Sequence, residues 1–108
     1  QAEAYFLQSL GRKDSDARTH FLLARLYIDM DRWRDAQTHY RQAIDRERIP
    51  YLREFFSGMM LVDLYPYHPD RLDEARRHLE NTLRLQPRFI QARDVLEQLE
   101  SRPGNRPQ

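Results

Sequence analysis

Three segments of the chain carry the same triplet of side chains, and this internal repeat constrains the fold more than any other feature. Each copy has a small residue, a large apolar or aromatic residue four positions later, and a small residue three positions after that. The copies are Ala2, Phe6 and Ser9; Ala36, Tyr40 and Ala43; and Ala75, Leu79 and Thr82. The second copy begins 34 residues after the first, and the third begins 39 residues after the second. A period in this range is typical of stacked helical hairpins.

A second pattern precedes the middle triplet and recurs 34 residues later. Its two copies are His20, Leu23, Ala24 and Tyr27; and Glu54, Ser57, Gly58 and Leu61. Gly58 therefore takes the place of Ala24, as the small residue at which two helices can approach closely. Because each copy of this pattern is followed by a copy of the triplet, the two patterns predict paired antiparallel helices.

Taken together, the two patterns resemble the tetratricopeptide repeat along roughly residues 1–101. The matched signature positions are Leu23, Ala24, Tyr27, Ala36, Tyr40, Ala43, Gly58, Ala75, Leu79 and Pro87. The chain departs from the family where His20 replaces the usual tryptophan and where Arg48 replaces the terminal proline of the middle copy. The resemblance implies an all-α fold, a right-handed α-solenoid of antiparallel helix hairpins with a C-terminal capping helix. Proteins of this kind usually bind partners.

The same register divides the chain into repeats. We expect a half repeat at 1–14, a repeat at 15–50, a repeat at 51–87, a capping helix at 88–101 and a disordered tail at 102–108. The third unit holds five extra residues, which fall in the proline-containing turn 65–70. Because the chain opens inside a repeat, on a second helix, we expect it to be a fragment of a larger protein.

Polar residues and prolines mark the expected helix ends. Ser15 or Asp16 can cap the helix that follows, and Asp31 and Asp70 are predicted to accept hydrogen bonds from the first free amides of the next two second helices. Pro87 is predicted to open the last helix, because a proline at a helix start loses no hydrogen bond.

In the resembled family the first helix of each repeat lines a concave groove. Carried over position by position, the partner-binding residues are Arg18, Phe21, Arg25, Ile28, Leu52, Phe55, Met59 and Val62. The two arginines would favour an acidic or carboxylate-bearing partner segment. The turn 65–70, with two tyrosines and two prolines, is a second candidate surface. Its tyrosines could instead fold back over the end of the hairpin.

The predicted helix from Tyr51 to Leu64 is apolar almost all round, and this allows two interpretations. A helix enclosed by its neighbours in the middle of a bundle has this composition. Alternatively, Phe55 and Met59 could form an exposed apolar floor that contacts a partner.

Composition excludes several functions. The chain has no cysteine, so thiolate chemistry and disulfides are absent, and its formal charge of +1 with interleaved signs argues against nucleic acid as a partner. We predict no metal site, because His39 with Asp35 and His78 with Glu74 supply only two possible ligands each. We predict no enzyme and no cofactor, because no serine or threonine has a recognisable nucleophile context and no glycine-rich phosphate loop is present. No apolar stretch is long enough to insert into a membrane.

We therefore expect a protein-interaction scaffold that holds a partner peptide or protein in its concave groove. The alternative is a module for self-association or for docking within a larger bacterial protein, enzymatic or associated with the cell envelope, in which the chain forms a homo-oligomer or packs on its parent. RNA binding by a related helical repeat would rest on the arginine content alone. A single lysine among 18 basic residues is typical of GC-rich bacterial genomes. We expect a soluble segment, and either the bacterial cytoplasm or the periplasm remains open.

Overall fold

A computed structural model describes residues 16–101, which form five α-helices and one short 3-10 helix and contain no strand. The α-helices are α1 (Ala17–Asp29), α2 (Trp33–Arg46), α3 (Pro50–Asp63), α4 (Leu72–Leu85) and α5 (Ile90–Ser101), and the 3-10 helix Pro69–Arg71 precedes α4. The prediction of an all-helical chain is confirmed for this part. The predicted half repeat at 1–14 and the predicted tail at 102–108 lie outside the described residues.

Consecutive helices pack as hairpins. The most extensive packing joins α1 to α2 and α3 to α4, and α5 packs on α4. The two hairpins meet mainly through α2 and α3, and α1 also touches α3. As a result α3 contacts α1, α2 and α4, which makes it the central helix of the described chain.

Small side chains lie wherever two helices pack closely. Ala24, Ala36, Ala43, Ala75 and Ala92 are all 0% exposed. Gly58 on α3 marks a close approach to α4, because a Cβ atom built there would lie 2.8 Å from Cγ of Leu79 and 3.3 Å from the carbonyl oxygen of Ala75. The close approach expected at Gly58 from its alignment with Ala24 is therefore present. Large side chains fill the space between the small ones; the largest that are fully buried are Tyr40, Leu23, Leu64, Leu79 and Leu99.

The start of α1 is capped as the sequence predicts. Asp16 has extended backbone angles, and its carboxylate accepts a hydrogen bond from the Thr19 amide at 2.9 Å. This bond satisfies an amide that has no partner within the helix, and it favours the ionised acid. The pKa of Asp16 is accordingly lowered, first by the Thr19 amide.

The predicted cap at Asp31 is wrong. The residue before α2 is Arg32, and no side chain caps this helix. Asp31 instead adopts a left-handed backbone with φ of 60° in the three-residue turn between α1 and α2. An aspartate tolerates this conformation better than most residues do. Its carboxylate accepts a hydrogen bond from the hydroxyl of Tyr67, which lies 36 residues later in the chain.

Two further helix starts differ from the prediction. Asp70 lies inside the 3-10 helix, and the residue before α4 is Arg71, which makes no side-chain cap. Pro87 lies in a turn, and α5 begins only at Ile90. In both places a tight turn intervenes between the proline or aspartate and the first α-helical residue, so the local composition marks the region of the boundary but not its position.

Candidate functional site

A cavity of about 290 Å³ opens between the first halves of α1 and α3 and the start of α5. Its lining residues are Arg18, Phe21, Leu22, Tyr51, Leu52, Phe55, Phe56, Phe89 and Gln91. These residues come from α1, from α3, from α5 and, in the case of Phe89, from the position just before α5. None of them comes from α2 or α4. Most of this wall is aromatic or aliphatic.

Aromatic rings in mutual contact form the wall of the cavity. Phe21 stacks on Phe56 with 4.5 Å between ring centroids, and it lies 5.9 Å from Phe55. Phe89 meets Phe55 edge to face at 4.8 Å and meets Tyr51 at 5.4 Å. Edge-to-face and offset pairs at these distances are favourable beyond the burial of area. The rings hold one another in place, so the wall is formed before any ligand arrives.

Polar groups stand at the edge of this aromatic wall. Arg18 on the first turn of α1 and Gln91 on the first turn of α5 are both exposed. Of the lining residues within 16–101, Arg18 alone carries a formal charge. Its charge also contributes, as a lesser cause, to the lowered pKa of Asp16.

The structure brings half of the predicted groove residues together around the cavity. Arg18, Phe21, Leu52 and Phe55 line it. The other four predicted residues do not line it: they are Arg25, Ile28, Met59 and Val62. These four lie farther along α1 and α3, toward the C-terminal ends of the two helices. The cavity therefore occupies only the N-terminal half of the predicted groove.

The prediction that Phe55 and Met59 form an exposed floor is wrong. Met59 is 2% exposed and Phe55 is 7% exposed, and both belong to the core. The other interpretation of α3, a central helix enclosed by its neighbours, agrees with the burial of Phe56, Met60 and Leu61 on the remaining faces. Phe55 reaches the cavity only with part of its ring.

Arg25 is engaged within the chain. Its Nε lies 3.3 Å from Oδ2 of Asp63 at the end of α3. The same oxygen accepts a hydrogen bond from the hydroxyl of Tyr40, which is fully buried on α2. Burial, followed by the neighbouring Asp63 charge, raises the pKa of Tyr40 well above its usual value. This network joins α1, α2 and α3, so a partner carboxylate would compete with Asp63 for Arg25.

Nine of the ten signature residues lie in the helix interfaces. Leu23, Ala24, Tyr27, Ala36, Tyr40, Ala43, Gly58, Ala75 and Leu79 are buried. The exception is Pro87, which is exposed in the turn before α5. These residues hold the helices together and are not accessible to a partner.

The turn between α3 and α4 folds back on the molecule. Tyr67 stacks on Trp33 of α2 with centroids 5.4 Å apart, and His68 meets the same indole edge to face at 5.3 Å. Tyr67 also donates its hydroxyl hydrogen to Asp31, which raises the pKa of the phenol. The interpretation of this turn as a projecting surface loses support, because its aromatic side chains are used to cover the end of the first hairpin.

The histidines pair with neighbours across the hairpins. His20 and His39 place their Nδ1 atoms 3.2 Å apart with stacked rings, and His78 contacts Glu54 at 2.8 Å. Burial, with smaller effects from Arg46 and His39, lowers the pKa of His20 to about 4. Within residues 16–101 no three histidine, aspartate or glutamate side chains cluster in a way that could hold a metal ion.

Sequence reasoning missed Phe89, although the repeat contains the signal. Phe21, Phe55 and Phe89 follow one another at intervals of 34 residues, the spacing of the two first-helix patterns. The three rings are in contact in that order. Phe89, just before α5, thus continues the register of α1 and α3, whereas the predicted groove took its residues only from the first helices of the two full repeats.

Comparison with protein-family models, with curated proteins and with solved structures gives no match for this chain. The resemblance to the tetratricopeptide repeat therefore rests on the signature residues and stays a prediction. In the part of the chain that the structure describes, none of the helices combines the length and the apolar character needed to cross a membrane.

Proposed function

We propose that this chain is a protein-interaction module, in which a tetratricopeptide-like array of helical hairpins binds a segment of a partner protein on its first helices. The observation that carries the proposal is the origin of the cavity lining. Within residues 16–101, every lining residue comes from α1, from α3, or from Phe89 and Gln91 at the start of α5. In a solenoid of hairpins these alternate helices would share one face, and that face is where such arrays bind.

The nature of the wall supports a ligand made of amino acids. A pocket of rigid aromatic rings with a polar rim is typical of the centre of a protein interface, where a few buried anchors supply most of the affinity. At about 290 Å³ the cavity is at the lower end of the range for small-molecule sites, and it is large enough for one bulky side chain.

A selection from a random peptide library with the immobilised chain tests the proposal. Two exposed leucines offer a matched pair of variants: Leu22 lines the cavity and is 42% exposed, while Leu85 is 51% exposed at the end of α4. We expect selected peptides to bind Leu22→Asp at least about tenfold more weakly, a loss of about 1.4 kcal/mol, and to bind Leu85→Asp as they bind the unchanged chain. Failure to select any peptide, or equal effects of the two variants, would contradict the proposal.

Self-association is a second candidate, and one observation favours it. Within residues 16–101, five large apolar side chains are between 42% and 62% exposed; they are Leu22, Met30, Ile49, Leu85 and Ile90. Exposed apolar residues form an interface where they adjoin one another in a patch, and packing between copies would cover them. Light scattering across a concentration series separates the two functions, because a module that binds only other proteins stays monomeric.

A further inference from the structure

The chemistry of the cavity identifies the kind of partner segment that it would hold, if the proposed peptide-binding function is correct. We infer that the cavity accepts a large aromatic side chain whose neighbouring residue carries a carboxylate, with the ring against the phenylalanine wall and the carboxylate beside Arg18. The aromatic wall of the cavity favours a ring, and the positive charge at its edge favours a carboxylate.

The wall selects a ring. Phe21, Phe55 and Phe89 present a continuous aromatic surface whose neighbouring centroids are 5.9 Å and 4.8 Å apart. A flat side chain that lies against the ring edges facing the cavity makes the same kind of offset or edge-to-face contacts that the rings already make with one another. A small side chain leaves most of the cavity unfilled and forfeits those contacts.

The rim selects the charge. An aromatic pocket can in principle bind a cation through the faces of its rings. Among the lining residues that the structure describes, Arg18 is the only charged one, and none of them is a carboxylate. A cationic ligand would therefore meet a like charge, whereas a carboxylate gains a charge-assisted hydrogen bond from the guanidinium. The exposed position of Arg18 lets the carboxylate remain partly hydrated, so it is not buried without a partner.

Arg25 does not compete for this role. Its guanidinium is paired with Asp63, whose side chain is 12% exposed, and it does not line the cavity. Among the cations predicted for the groove, Arg18 is therefore the one placed to recognise a ligand in the cavity.

Three acetylated, amidated tetrapeptides test the inference by two-dimensional amide NMR titration. Their central residues are Trp-Asp, Trp-Asn and Ala-Asp, between terminal glycines. We expect Trp-Asp to bind about threefold to tenfold more tightly than Trp-Asn, as for a partly exposed charged pair. We expect Ala-Asp to bind at least about tenfold more weakly than Trp-Asp, because it lacks the ring. Shifts should map to the start of α1, to the start of α3 and to the residues around Phe89.

Arg18→Gln assigns the charge preference to one residue. We expect it to remove the preference for Trp-Asp over Trp-Asn while leaving the affinity for Trp-Asn unchanged. Arg84→Gln, which changes an exposed arginine on α4, is the matched control and should keep the preference. Equal binding of Trp-Asp and Trp-Asn to the unchanged chain, a preference that survives Arg18→Gln, or no saturable binding of Trp-Asp would each overturn the inference.

The results that would overturn this inference differ from the results that would contradict the proposed function. If library peptides bind at the cavity but carry neither a ring nor an adjacent acid, the chain is an interaction module with a different ligand. If no library peptide binds and the tetrapeptides also fail, the proposed function is wrong as well.

Discussion

Gly58 shows how a single absent side chain sets the distance between two helices. A glycine within a helix costs about 1 kcal/mol relative to alanine, so it is retained where the missing Cβ allows a close contact. On α3 that contact is with Leu79 and with the backbone of Ala75. Gly58 thus fixes how deeply the side chains of α4 enter the surface of α3.

Gly58→Ala should therefore destabilise the chain in spite of its better helix propensity. The added Cβ would lie 2.8 Å from Cγ of Leu79, and relieving this overlap requires the fully buried Leu79 side chain or the helix that carries it to shift. We expect a net loss of about 1 to 2 kcal/mol in the free energy of unfolding, measured by urea denaturation. Arg53→Ala, at an exposed position of the same helix, should change it by less than about 0.5 kcal/mol. A Gly58→Ala variant as stable as the unchanged chain would contradict the close packing.

Two tyrosines that each donate to an aspartate provide a comparison of buried and exposed hydrogen bonds. Tyr40 is fully buried and bonds Asp63, while Tyr67 is half-buried and bonds the exposed Asp31. Removing a donor costs most where the acceptor cannot turn to water.

We expect Tyr40→Phe to lower the free energy of unfolding by about 1 to 3 kcal/mol, because it leaves the mostly buried Asp63 with one partner fewer. Tyr67→Phe should lower it by less than about 0.5 kcal/mol, because the Asp31 carboxylate is solvated and the ring can still stack on Trp33. Chemical denaturation of both variants measures the difference. Losses of equal size would show that burial does not decide the strength of these bonds.

At the scale of the helix, the pairing of α1 with α2 depends on two neutral histidines. His20 and His39 share a hydrogen bond between ring nitrogens, so one must donate and the other accept. Burial lowers the pKa of both residues, and Arg46 and His39 lower that of His20 further. Asp16 and Asp35 oppose these effects for His20 and His39 respectively, but they are not large enough to reverse them.

The first hairpin should therefore lose stability in mild acid. An unfolded histidine takes up a proton as the pH falls through about 6.5, whereas folded His20 does so only near its lowered pKa of about 4. Between these two pKa values the unfolded state binds more protons than the folded state, so the free energy of unfolding decreases as the pH is lowered. We expect a loss of about 1 to 2 kcal/mol from pH 7.5 to pH 5, visible in thermal melts.

His20→Leu is the control for this pH dependence, because it fills the same buried position without a titrating group. Its stability should change less than that of the unchanged chain over the same interval. An equal loss in both chains would assign the effect to other groups.

At the scale of the whole molecule, the described helices should differ in how readily they open. The central helix α3 contacts α1, α2 and α4, whereas α5 packs mainly on α4 and exposes Glu97, Glu100 and Ile90 on its other sides. In arrays of this kind, stability is close to a sum over neighbouring contacts. A helix with fewer neighbours then opens locally without unfolding the rest.

Amide hydrogen exchange should accordingly proceed fastest in α5 and slowest in α3. We expect the protection of α3 to approach that of global unfolding. Comparable protection in α5 and α3 would mean that the described helices unfold as a single cooperative unit.

The helices and the close contacts were predictable because they depend on local spacing. Ala24 and Gly58 hold the same position in the two first-helix patterns, and Ala36 and Ala75 hold the same position in the triplets, so each helix of a hairpin carries a small residue for close packing. The long turn before α4 was likewise marked by its prolines. Interactions between distant residues were not predictable, and Asp31 illustrates this: its acceptor role depends on Tyr67, which only the folded chain brings near.

The candidate site was predictable only in part for the same reason. Arg18 and Phe21 were placed by the resemblance to the tetratricopeptide repeat, and they do line the cavity. The burial of Phe55 and the ion pair of Arg25 with Asp63 depend on neighbours in other helices, which the sequence patterns do not specify. Phe89 belongs to a 34-residue series that becomes evident once the three rings are seen in contact.

The docking of the long turn onto α2 has a spectroscopic consequence. Trp33 is the only tryptophan of the chain, and it lies between Tyr67, His68 and the guanidinium of Arg34, which is 4.9 Å from the indole. Its fluorescence emission therefore reports on whether that turn is closed over the first hairpin. Occupation of the cavity, to which Trp33 does not contribute, would leave this intrinsic signal unchanged.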